Sequence, residues 1–157
     1  MAGVLVTSLG HYLAGVTRRR WGYGSLDCCT FMADWLMARG LPDAMADRRG
    51  TYASRREYRA AIRSEGGIVA SCRARFARLG LVETAQPGHG DVALVLAPFA
   101  VRRDGRVVSA PVGAICLGRG ARAVVTPDKG LVIYPLATVA AWRVAGVADD
   151  LGGSSHG

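Results

Sequence analysis

The sequence predicts an α+β domain, with helices over residues 1–80 packed on a five-stranded antiparallel sheet or small barrel. Apolar residues recur at helical spacing in the first half, whereas after Pro87-Gly88-His89-Gly90 they fall into short β-rich runs bounded by Gly, Pro or Asp. Length agrees with this: 157 residues, 50% apolar and 20% charged, can bury a core without disulfides. A single domain is expected over 1–149, followed by a flexible tail at 150–157.

Each element has its own signal. Residues 4–16 carry Val4, Leu5, Leu9, Tyr12, Leu13 and Val16 near helical spacing, interrupted by Gly10 and Gly15. A glycine-rich turn follows at 22–24. From Asp27 to Arg39, the positions Cys28, Phe31, Met32, Trp35 and Leu36 keep a 3.6-residue period, with Asp27 as N-cap and Gly40 as the stop. A polar connection spans 41–56. Helices over 55–65 and 70–79 are closed by Gly66-Gly67 and by Gly80. The strands read as Asp91–Leu96, Gly113–Leu117, Ala121–Val125, Leu131–Tyr134 and Val139–Val144. Between the first two, the arginine-rich stretch 101–106 reads as a loop projecting into solvent.

Several function classes are disfavoured at once. No apolar run approaches the eighteen or so residues of a membrane span, and the N-terminus lacks the pattern of a secretory signal. A soluble product without its own export signal is expected. The net charge of +8 comes almost wholly from arginine, Lys129 being the only lysine. These arginines are scattered and lack interleaved aromatics, so no specific nucleic-acid partner is predicted. Cys28, Cys29, Cys72 and Cys116 form no C-x-x-C pair, and the three histidines are too dispersed for a zinc pattern. Reduced thiols are expected, with no metal and no cofactor.

The candidate site is Cys28. A glycine-broken turn, Trp21-Gly22-Tyr23-Gly24, delivers it to the first turn of a helix, where unpaired backbone N–H groups and the helix dipole favour a thiolate. Two readings stand side by side: a nucleophile, and a buried small hydrophobe at the foot of a core helix. Asp27 next door would oppose ionisation. Cys29 lies about 100° further around the helix, and Cys72 and Cys116 read as core residues. Trp35 shares a face with Phe31 and Cys28, which favours packing over a sugar platform, and Trp21 and Trp142 are expected to pack the helices on the sheet. Arg48-Arg49-Gly50 reads as solvated charge, with a docking surface as the alternative.

The order Trp-Gly, Asp27-Cys28, amphipathic helix, Pro87-Gly88-His89-Gly90-Asp91-Val92, then Gly113-Ala114-Ile115-Cys116-Leu117-Gly118 resembles the NlpC-type cell-wall peptidases of the papain-like superfamily. The resemblance runs over roughly residues 10–135. It implies a nucleophile at Cys28 and a strand opened by Gly90-Asp91, with a catalytic histidine starting the next strand. This chain reads Ser109-Ala110-Pro111-Val112-Gly113 there, and it has no histidine between 90 and 155. His89 belongs to the turn at the wrong end of its strand, roughly 20 Å away at about 3.3 Å per residue. His11 falls on the first helix and His156 in the tail. The chain also resembles small tail proteins of phages, prophages and gene-transfer agents. These share the Trp-Gly and Asp-Cys entry, Arg49-Gly50-Thr51-Tyr52, the Gly-Asp-Val strand, Ala114–Gly118 and Ala141-Trp142-Arg143-Val144.

That likeness implies a structural or adaptor protein of the tail tip with a degenerate peptidase-like site, made in the bacterial host cytoplasm and built into the virion. Its implied partners are other tail-tip or hub proteins, with peptidoglycan a further candidate. The alternatives are an active peptidoglycan-cleaving thiol hydrolase using Cys28 during DNA entry, and a cytoplasmic tail-assembly factor.

Overall fold

The computed structural model describes residues 6–147. Its helices are α1 (Leu9–Val16), α2 (Cys28–Ala38), α3 (Arg55–Ser64) and α4 (Ile68–Arg78). The strands are β1 (Val92–Val101), β2 (Val107–Cys116), β3 (Ala121–Thr126), β4 (Gly130–Pro135) and β5 (Thr138–Trp142). All strand pairs are antiparallel, and the order β4-β3-β2-β1-β5 makes an open sheet in which the last strand returns beside the first. The α+β class and every element anticipated among these residues are present. The tail at 150–157 and His156 lie outside the described residues, as do Val4 and Leu5. No helix among the described residues is long and apolar enough to cross a membrane.

Helix α2 is the centre of the core. Cys28 through Ala33, Trp35 and Leu36 are all buried, so this helix is covered on nearly every side. It lies across β2 and β3. The Trp35 indole N–H donates to the Gly90 carbonyl at 2.8 Å, tying the helix to the turn before β1. On β1, Val92 and Leu94 face this helical core, while Ala93 and Val95 join Ala114, Cys116, Val124 and Ala141 in a smaller cluster on the other face. Trp142 meets Phe76 of α4 edge-on at 4.9 Å between centroids, which packs helix against sheet as expected.

Two expectations are corrected. Strand β2 begins at Val107 rather than Gly113, so β1 and β2 form a long hairpin around 102–106. Proline obscured the strand, because it cannot donate to a ladder. Pro111 is nonetheless accommodated, since β2 has a partner there on the β1 side only. The second correction concerns Arg48 and Arg49, which do not project into solvent. Arg48 is 3% exposed and binds Glu65 and the Ser71 hydroxyl, and Arg75, 5% exposed, joins Glu65 to Asp47 and the Ala44 carbonyl. Arg49 bridges Asp43 and Asp34. The segment 41–54 thus looks polar in sequence because its arginines clamp it onto α2, α3 and α4.

The clamp gives stability a pH dependence. Arg49 holds the Asp43 carboxyl below its ordinary value, and Arg75 does the same for Asp47. Burial works against ionisation of Glu65, but Arg48 and Arg75 outweigh it and lower its pKa too. Groups depressed on folding add stability that is complete above their unfolded values of about 4 and is lost as pH falls through the folded ones. Thermal unfolding between about pH 6 and pH 2 is expected to show Tm falling once pH drops below roughly 4, with a shallower fall for Arg75→Met. Equal slopes for the variant and its parent would refute the assignment.

Candidate thiol site and its groove

The site is built from the turn that precedes α2. Gly24 adopts φ +81°, and a Cβ there would sit 2.7 Å from the Tyr52 carbonyl, so the turn closes tightly only with glycine. Its backbone N–H donates to Asp27 Oδ2 at 2.8 Å, as does the Tyr52 hydroxyl at 2.8 Å. The other carboxylate oxygen, Oδ1, caps the helix, accepting from Cys29 N at 3.0 Å and Thr30 N at 2.9 Å. Thr30 Oγ1 accepts the Asp27 backbone N–H at 2.8 Å and completes a capping box. The fully buried Asp27 carboxylate is therefore surrounded by donors. Its position as N-cap is the expected one.

Cys28 is 6% exposed, and its sulfur lies 3.1 Å from the Tyr58 hydroxyl, which also reaches Cys29 Sγ at 3.3 Å. The Cys29 thiol and burial push the Cys28 pKa well up, against smaller opposing pulls from the Gly113 backbone N–H and the Tyr58 hydroxyl. Cys29 is raised as well: its bond with Cys28 acts downward, but Cys72 and burial outweigh it. Burial and the two neighbouring sulfurs raise Tyr58. The helix dipole therefore loses to the neighbouring Cys29 thiol and to desolvation, and the thiol form dominates at neutral pH. Cys116 is pushed up to about 11, mainly by burial, and all four cysteines are free.

The strand residue against the Cys28 backbone is Gly113. A Cβ there would overlap the Cys28 carbonyl oxygen and approach Met32 Cε to 2.7 Å, so helix and strand touch backbone to backbone. None of the groups that shift the thiol is an imidazole. His89 sits in the turn before β1, and His11 is exposed on α1. Among the described residues, no group of three His, Cys, Asp or Glu side chains is placed to hold a metal ion.

Tyr58 was missed from sequence. It is the aromatic of the otherwise arginine-rich helix Arg55–Ser64, and Ile62 one turn later marks the same inward stripe. Tyr58 packs between Tyr23, at 5.7 Å, and Tyr52, at 5.4 Å, and Trp21 meets Tyr23 edge-on at 5.4 Å. Trp21 is thus part of an aromatic wall rather than a link from helices to sheet. Above Cys28 this wall opens into a groove of about 1270 Å³, bounded by α3 with Arg55, Arg59 and Arg63 on one side and by the hairpins on the other.

Fold and site together define an α+β protein with a shielded thiol pair at a helix N-terminus beneath a broad basic groove. Residues 6–144 match the family described as a domain of unknown function, DUF6950, and the chain belongs to that family. No curated protein and no solved structure matches the chain.

Proposed function

We propose that this protein is a structural or adaptor subunit of a phage-type tail tip, built on an NlpC-like papain fold whose hydrolytic site is degenerate. The observation that carries the loss of catalysis is the packing of Gly113 against Cys28, at the place where the resemblance puts a histidine-bearing strand. A thiol hydrolase needs a base to take the sulfur's proton and return it to the leaving amine. Tyr58, held protonated and sharing hydrogen bonds with two sulfurs, cannot serve as that base near neutral pH. What persists is an anchored helix, a rigid sheet and a groove, which are the parts useful for attachment. The tail assignment rests on the likeness of the sequence to small tail proteins.

Two measurements test this reading. Purified protein is expected to release no amine or peptide fragment from peptidoglycan, and Cys28 is expected to resist iodoacetamide at pH ~7 and to label only at strongly alkaline pH, as a raised thiol requires. Turnover abolished by Cys28→Ser would establish the hydrolase alternative instead. Mass spectrometry of purified particles is expected to find the chain in the tail fraction. Its presence in lysate but absence from particles would favour an assembly factor.

A further inference from the structure

The groove above Cys28 is also a gap in the sheet. Strand β2 pairs with β1 from Val107 to Ile115, but with β3 only through Ile115 and Cys116. Beyond Ala123, β3 pairs with β4 alone. The two hairpins therefore fork, and the cavity between them is lined by Ala110, Pro111 and Val112 from β2 and by Val124, Val125 and Thr126 from β3.

The open edge of β2 has a definite hydrogen-bonding character. Alternate residues of an antiparallel strand direct their N–H and C=O to opposite edges. Cys116 bonds toward β1, donating to Asp91 O and accepting from Gly90 N, both at 2.8 Å. Ala114 and Val112 follow that direction, so Ser109 turns an N–H and a C=O toward the fork, Pro111 a C=O alone, and Gly113 faces the same way beside Cys28. Such an edge is a template for another strand. Charge selects the occupant: among the described residues, the charged side chains lining the fork are Arg55, Arg59, Arg63 and Lys129 against Asp128.

We infer that the fork is a strand-insertion site for an extended, acidic segment of a partner protein. The segment pairs its backbone with the Val107–Val112 edge, lays alternate apolar side chains on Val112 and Val124, and sets its carboxylates toward the arginines of α3. At about 3.3 Å per residue, that edge accepts roughly six residues. A nucleic acid would satisfy the charge but would leave the backbone edge without a ladder. This inference deepens the adaptor reading and rests on it only for the partner being a neighbouring protein of the particle.

The test uses a fluorescein-labelled peptide of about eight residues alternating Glu and Val, followed by fluorescence anisotropy with the full chain. Two control peptides carry Lys in place of Glu, or N-methyl groups at alternate amides. Saturable binding of the Glu peptide is expected, at least ~10-fold weaker for either control and similarly weakened by Arg63→Glu combined with Lys129→Glu. Amide exchange at Ser109 is expected to slow when the Glu peptide binds. An N-methylated peptide that binds equally well would overturn strand insertion, as would no Glu-peptide binding by protein with normal thermal unfolding. Binding retained by a chain absent from particles would overturn the tail assignment alone, whereas no binding by a tail-resident chain would overturn this inference alone.

Discussion

Gly113→His is expected to destabilise the protein by roughly 3 kcal/mol or more, at the upper end of overpacking costs, and to yield no hydrolase. The peptidase resemblance puts its histidine just before this residue, at Pro111 or Val112, and Gly113 is where that strand meets the helix. A Cβ at Gly113, however, would overlap the Cys28 carbonyl, and that oxygen belongs to the first turn of α2, a buried helix held by the Asp27 capping box. Relief requires α2 and β2 to separate, which would expose Met32 and weaken the contact that buries both. Gly113→Ala tests the same clash with the smallest possible side chain. Thermal and urea unfolding should show a lower midpoint for both variants, and an alanine variant as stable as its parent would contradict the close approach.

The second large effect is expected at Asp27. Loss of an N-cap costs about 1 kcal/mol. Asp27→Ala also strands two further buried donors, the Gly24 N–H and the Tyr52 hydroxyl, at about 1–3 kcal/mol each. A combined loss of roughly 3–5 kcal/mol is expected, because the contributions share one carboxylate and do not add fully. Urea unfolding of Asp27→Ala, Tyr52→Phe and the double variant separates the terms: Tyr52→Phe should cost much less in the Asp27→Ala background than alone. Additive costs would mean that the hydroxyl and the carboxylate do not depend on each other.

Much of this architecture was legible because local signals agreed with one another. Asp27, the 3.6-residue period through Leu36 and Gly40 all specify one helix, and the helix is there from Cys28 to Ala38. Long-range partnerships were less visible. Arg48 looks like surface charge until Glu65 and Ser71 arrive from other elements to satisfy it. Tyr58 could have been found by treating Tyr58 and Ile62 as the inward stripe of a helix that otherwise displays arginine. Gly113 carried a usable hint as well, since glycine inside a strand often marks a close backbone approach. The clash with Cys28, in contrast, depends on how α2 lies across the sheet, which no spacing along the chain encodes.

The return of β5 to the side of β1 has a consequence for synthesis. Trp142, the last residue of that strand, covers Phe76 and pairs with Val92, and Val144 N–H is held by Asp91 Oδ1 at 2.8 Å. The helical half leaves the ribosome first, yet the surface that Phe31, Met32 and Trp35 require is assembled only from strands translated much later. Nascent chains stalled before about residue 142 already hold the strands that lie against α2, but leave Phe76 of α4 and the outer edge of β1 uncovered until β5 is made.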